Sequence, residues 1–189
     1  MKRSVWVVLS MVLLSGCAHL EVPRGGLYPF RAEFAAHGKF RGAELSVNGA
    51  IVLASAAEGT IQVYGPGGMA TGTIDITPEG LVARDMWGRI TDVIDVPLQG
   101  IVGLVAGDVP PQAYLYRCRI EGGTKVVYHW GSLCIDDAFL PSEVHMPGEK
   151  DLHIDFKPSG GSIGLEVHYG PDTLWISLDV IQGGRWISS

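Results

Sequence analysis

From Pro29 onward the sequence runs in short alternating segments, each cut off by glycine or proline, and that rhythm admits little besides an antiparallel sheet. Phe30, Ala32, Phe34 and Ala36 alternate with Arg31, Glu33 and His37. Period-2 alternation puts one set on each face of a strand. Further strands are expected over 45–54, 60–64, 71–76, 80–84, 89–93, 112–120, 125–130, 152–157, 163–169 and 174–181. Gly65-Pro66-Gly67-Gly68 must be a turn, because proline removes a ladder donor and glycine tolerates positive φ. Thr77-Pro78-Glu79-Gly80 and Ser159-Gly160-Gly161-Ser162 read as hairpin turns for the same reasons.

One stretch breaks the rhythm. Pro97 suits a first helical turn, Leu98, Ile101, Val102, Leu104 and Val105 follow, and Gly107 stands where a helix would stop. Such a helix is apolar on nearly all sides, so it should be enclosed. Gly100 and Gly103 cost it about 1 kcal/mol each relative to Ala, but permit close backbone approach. The expected fold is therefore mainly β (α+β): a strongly curved antiparallel sheet, or unclosed β-barrel, wrapped over a short buried helix. Leu98, Ile101, Val102 and Val105 are the candidate lining of any cavity inside it.

The first residues follow a different logic. Lys2 and Arg3 precede an apolar run from Val5 to Leu14, too short for the roughly 20 residues of a bilayer span. Leu14-Ser15-Gly16-Cys17 resembles the lipobox of bacterial lipoproteins. That resemblance implies removal of residues 1–16, a diacylglyceryl thioether on Cys17 and acylation of its new amine. Residues 17–28 would then be a tether and 29–189 a single domain. Ala18, where inner-membrane lipoproteins carry Asp, implies the outer membrane, with the domain facing the periplasm.

Loss of Lys2 and Arg3 from the chain's 14 basic residues leaves 12 against 20 acids, a net charge of −8. With no basic block, nucleic acid is not an expected partner. Cys118 and Cys134 form an even pair in an exported chain, so a disulfide and two inert thiols both fit. No nucleophile elbow, phosphate loop or His-Glu metal helix motif is present. Glu143 and His145 share one strand face, as do His153 and Asp155, and could ligate a metal if two strands aligned them. Exposed strand faces carry the same residues, so no metal, cofactor or catalytic group is expected. Trp87, Trp130, Trp175 and Trp186 fall on separate segments and are expected to serve packing.

A second resemblance covers roughly residues 30–157. The turn at Gly65-Pro66-Gly67-Gly68, then Thr77-Pro78-Glu79-Gly80 and Asp85-Met86-Trp87-Gly88-Arg89, the run from Val96-Pro97-Leu98 to Gly107-Asp108-Val109-Pro110, and Phe139-Leu140-Pro141-Ser142-Glu143-Val144 resemble the LolB/LolA-like lipoprotein receptors and carriers. The resemblance implies an unclosed barrel with an apolar cavity for lipoprotein acyl chains, with those acyl chains or a periplasmic carrier as the partner; the absence of catalytic motifs makes a binding protein, not an enzyme, the expectation. The alternative function is a structural scaffold in an envelope or secretion assembly. In the family an apolar residue projects after the turn proline. Here that position is Gly67, which makes Pro66, Gly67, Gly68 and Met69 the candidate membrane or transfer loop, with Met69 weighed also as a core residue. Residues from about 160 extend past the family pattern and could cap an open sheet edge or fill the cavity. Finally, a three-residue loop at Gly122-Gly123-Thr124 would set Cys118 opposite Tyr128 and keep one hairpin face apolar.

Overall fold

The computed structural model describes residues 27–40, 42–94, 102–110 and 114–186. Among the described residues, thirteen strands form one antiparallel sheet. They are β1 (Phe30–Phe40), β2 (Ala43–Leu53), β3 (Gly59–Tyr64), β4 (Ala70–Thr77), β5 (Gly80–Asp85), β6 (Ile90–Ile94), β7 (Tyr116–Ile120), β8 (Gly123–Tyr128), β9 (Gly131–Asp136), β10 (Pro141–Met146), β11 (Leu152–Ser159), β12 (Ser162–Tyr169) and β13 (Asp172–Gln182). The order β6-β5-β4-β3-β2-β1-β13-β12-β11-β10-β9-β8-β7 makes two meanders joined where β1 pairs with β13. The edge strands β6 and β7 do not pair, so the sheet is not closed.

Laid flat, thirteen strands at about 4.8 Å spacing would stretch roughly 60 Å. Yet Ile51, Leu53 and Ile76 from one meander share a single buried cluster with Val126, Leu133, Ile135 and Val144 from the other. Only a sheet curled on itself brings these together. Register explains which face turns inward. Ile76, Gly59, Leu53 and Phe30 stand opposite one another from β4 to β1, and Leu178, Ile163 and Pro158 from β13 to β11. The opposite face carries most of the charged residues; Asp172, on the Leu174 and Leu178 side of β13, is buried, and Arg117 stands opposite core Val126. Where two strands must approach closely, the sequence supplies glycine: a Cβ on Gly49 would lie 2.4 Å from the Phe34 ring.

Three sequence expectations change. Residues 95–101 lie outside the described residues, and the remainder of the expected helix is a 3-10 turn, Val102–Ala106, leading into a buried segment through Pro110. The residues from 160 do not cap an open edge. They form β12 and β13, and β13 sits at the centre of the sheet, where it is the seam between the two meanders.

The β7–β8 register also differs. Cys118 faces Lys125 and Ile120 faces Gly123 across a two-residue Glu121-Gly122 turn. Gly122 supplies the positive φ alone. Gly123 belongs to the ladder, since a Cβ there would meet the Ile135 carbonyl oxygen at 2.0 Å. The two cysteines are free thiols. They flank Lys125 from the two strands beside β8, about 10 Å apart at strand spacing and beyond the roughly 7 Å a disulfide can bridge.

Candidate apolar site on the concave face

Strand direction sorts the loops into two ends. The β1–β2, β3–β4, β5–β6, β8–β9, β10–β11 and β12–β13 connections lie at one end, called here the upper, and the remaining hairpin loops lie at the lower. The concave face is packed differently at each end. At the lower end Phe30, Leu53, Ile163, Leu178 and Phe156 are buried, and the Val102–Ala106 turn is seated against them with Leu104 at 0% exposure.

The C-terminal segment clamps that turn in place. Trp186 is 2% exposed, stacks parallel to Phe156 at 6.0 Å and donates its indole N–H to the Val105 carbonyl at 2.7 Å. The Arg185 amide bonds the Ala106 carbonyl at 3.1 Å, and the Gly184 amide bonds Leu27 at 3.1 Å. Tyr28 donates to Asp108 at 3.1 Å beside the same turn. Burial, then the adjacent Asp108 charge, pushes the Tyr28 phenol well above its ordinary value. Further along the segment, the Tyr128 hydroxyl bonds the Pro110 carbonyl, and burial pushes that phenol up to about 12.

Toward the upper end the same face is mostly aliphatic and half-buried, with buried Asp172 at its edge accepting the Gly42 amide at 3.3 Å. Leu45 and Val47 of β2, Leu174 of β13, Val167 of β12, Leu152 and Ile154 of β11 and Met146 of β10 form this wall. The register Leu45–Gly38–Leu174–Val167–Ile154 runs in one row across it, with Gly38 leaving the floor low in the middle. From β2 to β10 the wall spans five strand spacings, about 24 Å. It is a half-exposed surface of branched and flexible aliphatic side chains, the candidate mouth of the concave face, with the Trp186 clamp at the other end of that face.

Two hairpin tips stand at this end. Pro66, Gly67 and Gly68 make an exposed 3-10 turn, and Met69 is 71% exposed. Met69 is therefore not a core residue: β4 begins one residue later, and the Gly65 amide bonds the Met69 carbonyl, which closes the turn with its side chain outside. The second tip, two strands away, is the turn over residues 85–89, whose Trp87 was expected to serve packing and is instead exposed. Asp85 accepts the amides of Trp87 and Arg89 and the Arg89 guanidinium, and Arg89 lies 4.9 Å over the Trp87 ring. Trp87 is thereby fixed in position while 71% exposed, next to exposed Met86. The signal was present as an apolar pair at a turn tip held by flanking Asp and Arg.

Of the sequence-selected cavity residues, Val102 and Val105 are half-buried against the core, while Leu98 and Ile101, like Cys17, lie outside the described residues. The four tryptophans take four different roles. Trp87 is exposed at a tip, Trp130 stacks on Tyr128 at 4.8 Å, Trp175 stacks on His37 on the convex face and Trp186 fills the lower end. Glu143, His145, His153 and Asp155 are brought together, on the convex face and away from the apolar wall.

No family model matches the chain, and no curated protein matches it. Among solved structures, the crystal structure of a LolA superfamily protein from Nitrosomonas europaea covers 91% of this chain and is itself covered over 91%, with 10% identity and a TM-score of 0.46.

Proposed function

We propose that this chain is an outer-membrane lipoprotein that takes acyl chains of lipoproteins or lipids against the upper concave wall, as a binding protein rather than an enzyme. The observation that carries the reading is an aliphatic wall left half-buried at the upper end of a concave face whose lower end is packed. Moving an acyl chain into water costs about 0.8 kcal/mol per methylene, so a receptor must replace that contact with apolar surface of similar extent. A membrane acyl chain spans about 15 Å, half of a hydrocarbon core, and the wall of about 24 Å accommodates it. Met69, Met86 and Trp87 at the rim suit the step in which a chain leaves a bilayer or carrier, since methionine adapts its shape and tryptophan favours the interface.

The lipobox-like Cys17 supplies the anchor in this reading. Ten residue steps separate it from Leu27 at the lower end, a reach of at most about 36 Å. The eleven residues of β1 cover a similar distance from there to the mouth. The mouth thus opens away from the anchoring membrane unless the tether is fully extended. That favours delivery from the periplasmic side.

The test is titration of the chain from residue 18 with a fluorescent fatty acid and displacement by palmitate. Saturable binding that is abolished by Leu174→Glu, with the fold intact by circular dichroism, supports the reading. Absence of saturable binding removes it and leaves the scaffold function, which the inward Trp186 and the Tyr128–Trp130 stack favour. The anchor is checked separately: Cys17→Ser should abolish metabolic acyl labelling.

A further inference from the structure

The convex face of β10, β11 and β12 carries two rows of side chains with no part in the apolar site. In the first row His145 stands opposite His153, and His153 opposite His168. In the second Glu143 stands opposite Asp155, and Asp155 opposite Glu166. Like charges directly opposite one another on adjacent strands are destabilising, and here three carboxylates stand in line. Lys157 offsets one of them. Its hydrogen bond, foremost among the causes, holds the Glu166 carboxyl below the usual carboxylate range. Two negative charges remain, flanked by imidazoles, on strands between the central β13 and the β7 edge.

The donor atoms fall in two groups that share Asp155. Nδ1 or Nε2 of His153 with carboxylate oxygens of Glu143 and Asp155 lie within 4.8 Å of one another, and so do donors of Asp155, Glu166 and His168. His153 Nε2 is 3.2 Å from Asp155 Oδ1, and His168 Nε2 is 3.3 Å from Glu166 Oε1. Around a tetrahedral ion with bonds of about 2.0–2.1 Å, neighbouring donors are about 3.3 Å apart. The His153 and His168 ring centroids are 6.2 Å apart, against roughly 5 Å for two imidazoles on one such ion with those bond lengths. Rotation of half-exposed side chains closes differences of that size. His168 has a positioning partner as well, because its Nδ1 lies 3.1 Å from Thr173 Oγ1. An Nδ1–H donated to that hydroxyl leaves the Nε2 lone pair free on the side of the carboxylates, the arrangement metal-binding histidines use.

We propose that this face holds one divalent first-row transition cation of the Zn²⁺ type, with Asp155 as the shared central carboxylate, His153 and His168 as nitrogen donors, and Glu143 and Glu166 flanking. Mixed imidazole and carboxylate ligands select such a cation over Ca²⁺ or Mg²⁺, which take oxygen alone. The ion cancels the two charges and cross-links three strands. The site lies on the opposite face from the apolar wall, so either proposal stands or falls without the other.

The test uses the chain from residue 18, which keeps every strand, with Cys118→Ser to remove the exposed thiol. Isothermal titration with Zn²⁺ should give one ion per chain, with Mg²⁺ and Ca²⁺ at least ten-fold weaker. Asp155→Asn, and separately His153→Gln with His168→Gln, should weaken Zn²⁺ at least ten-fold, while His129→Gln on the distant β8–β9 turn leaves it unchanged. Co²⁺ should acquire visible absorption on the parent chain and not on Asp155→Asn. Circular dichroism of each metal-free variant shows that it remains folded. No Zn²⁺ binding by the parent, equal affinity for Ca²⁺, or undiminished binding by the folded Asp155 and histidine variants would each overturn the proposal.

Discussion

The clamp at the lower end makes a quantitative demand on Trp186. Its ring is 2% exposed, lies on Phe156 and ties the Val105 carbonyl through a 2.7 Å hydrogen bond. Removing a buried tryptophan ring typically costs about 3–5 kcal/mol, including the void it leaves. Trp186→Phe keeps most of the packing and deletes the N–H, so it should cost about 1–2 kcal/mol, one net hydrogen bond plus the smaller ring. In a domain of this length 1 kcal/mol shifts the melting temperature by about 2–4 °C. Trp186→Ala should then melt roughly 6–20 °C below the parent, and Trp186→Phe roughly 2–8 °C below. Urea unfolding of the chain from residue 18 gives the free energies directly. Fatty-acid binding at the upper wall, remote from the clamp, should survive Trp186→Phe. An alanine variant within about 1 kcal/mol of the parent would show that the C-terminal segment does not hold the lower end packed, and the clamp would fail as an account of it.

Met69→Glu should change stability by no more than about 0.5 kcal/mol, because the side chain is 71% exposed, and should reduce transfer of a fluorescent acyl chain from vesicles. A large fall in melting temperature would place Met69 in the core after all. Of the two thiols, exposed Cys118 should react promptly with a thiol reagent, whereas Cys134 should react only on unfolding, since burial, then the nearby Glu143 charge, pushes its pKa up. Prompt modification of both would contradict this packing. Stability should be insensitive to these phenols below pH 10 and decline above it. Tyr28 and Tyr128 stay protonated in the fold while the unfolded chain loses both protons from about pH 10, so each contributes a fall of up to about 1.4 kcal/mol per pH unit, Tyr128 until about pH 12. A flat urea midpoint from pH 9 to 11.5 would refute it.

The strand pattern was legible because turn chemistry and period 2 agree along most of the chain. β1 alternates between exposed and buried or half-buried residues as far as Lys39, and a glycine follows β1, β11, β12 and β13 within two residues. β9 was not singled out. Ser132, Leu133, Cys134 and Ile135 are all buried, so both faces are covered and the alternation that marks a strand is lost. The β7–β8 register failed on a narrower point. Two adjacent glycines read as one turn, but they serve different needs: Gly122 turns the chain and Gly123 admits the Ile135 carbonyl. A shift of three positions reversed which β7 residues face Val126, because the side-chain period is two.

The two candidate sites differ in why sequence underreported them. The mouth is defined by what the segment from Val102 to Pro110 leaves uncovered, and no local pattern states where a buried connection runs across a curved sheet. The convex cluster was recoverable. Glu143-x-His145, His153-x-Asp155 and Glu166-x-His168 are three acid–histidine pairs at spacing i, i+2 on three strands, with the order inverted on the middle one. Antiparallel neighbours run in opposite directions, so that inversion is the condition for acids to meet acids and histidines to meet histidines. Two pairs on one hairpin fit an ordinary solvated face. The third pair, on the next strand and in the matching order, extends both rows across β10, β11 and β12, and a row of three facing carboxylates is arranged to receive positive charge.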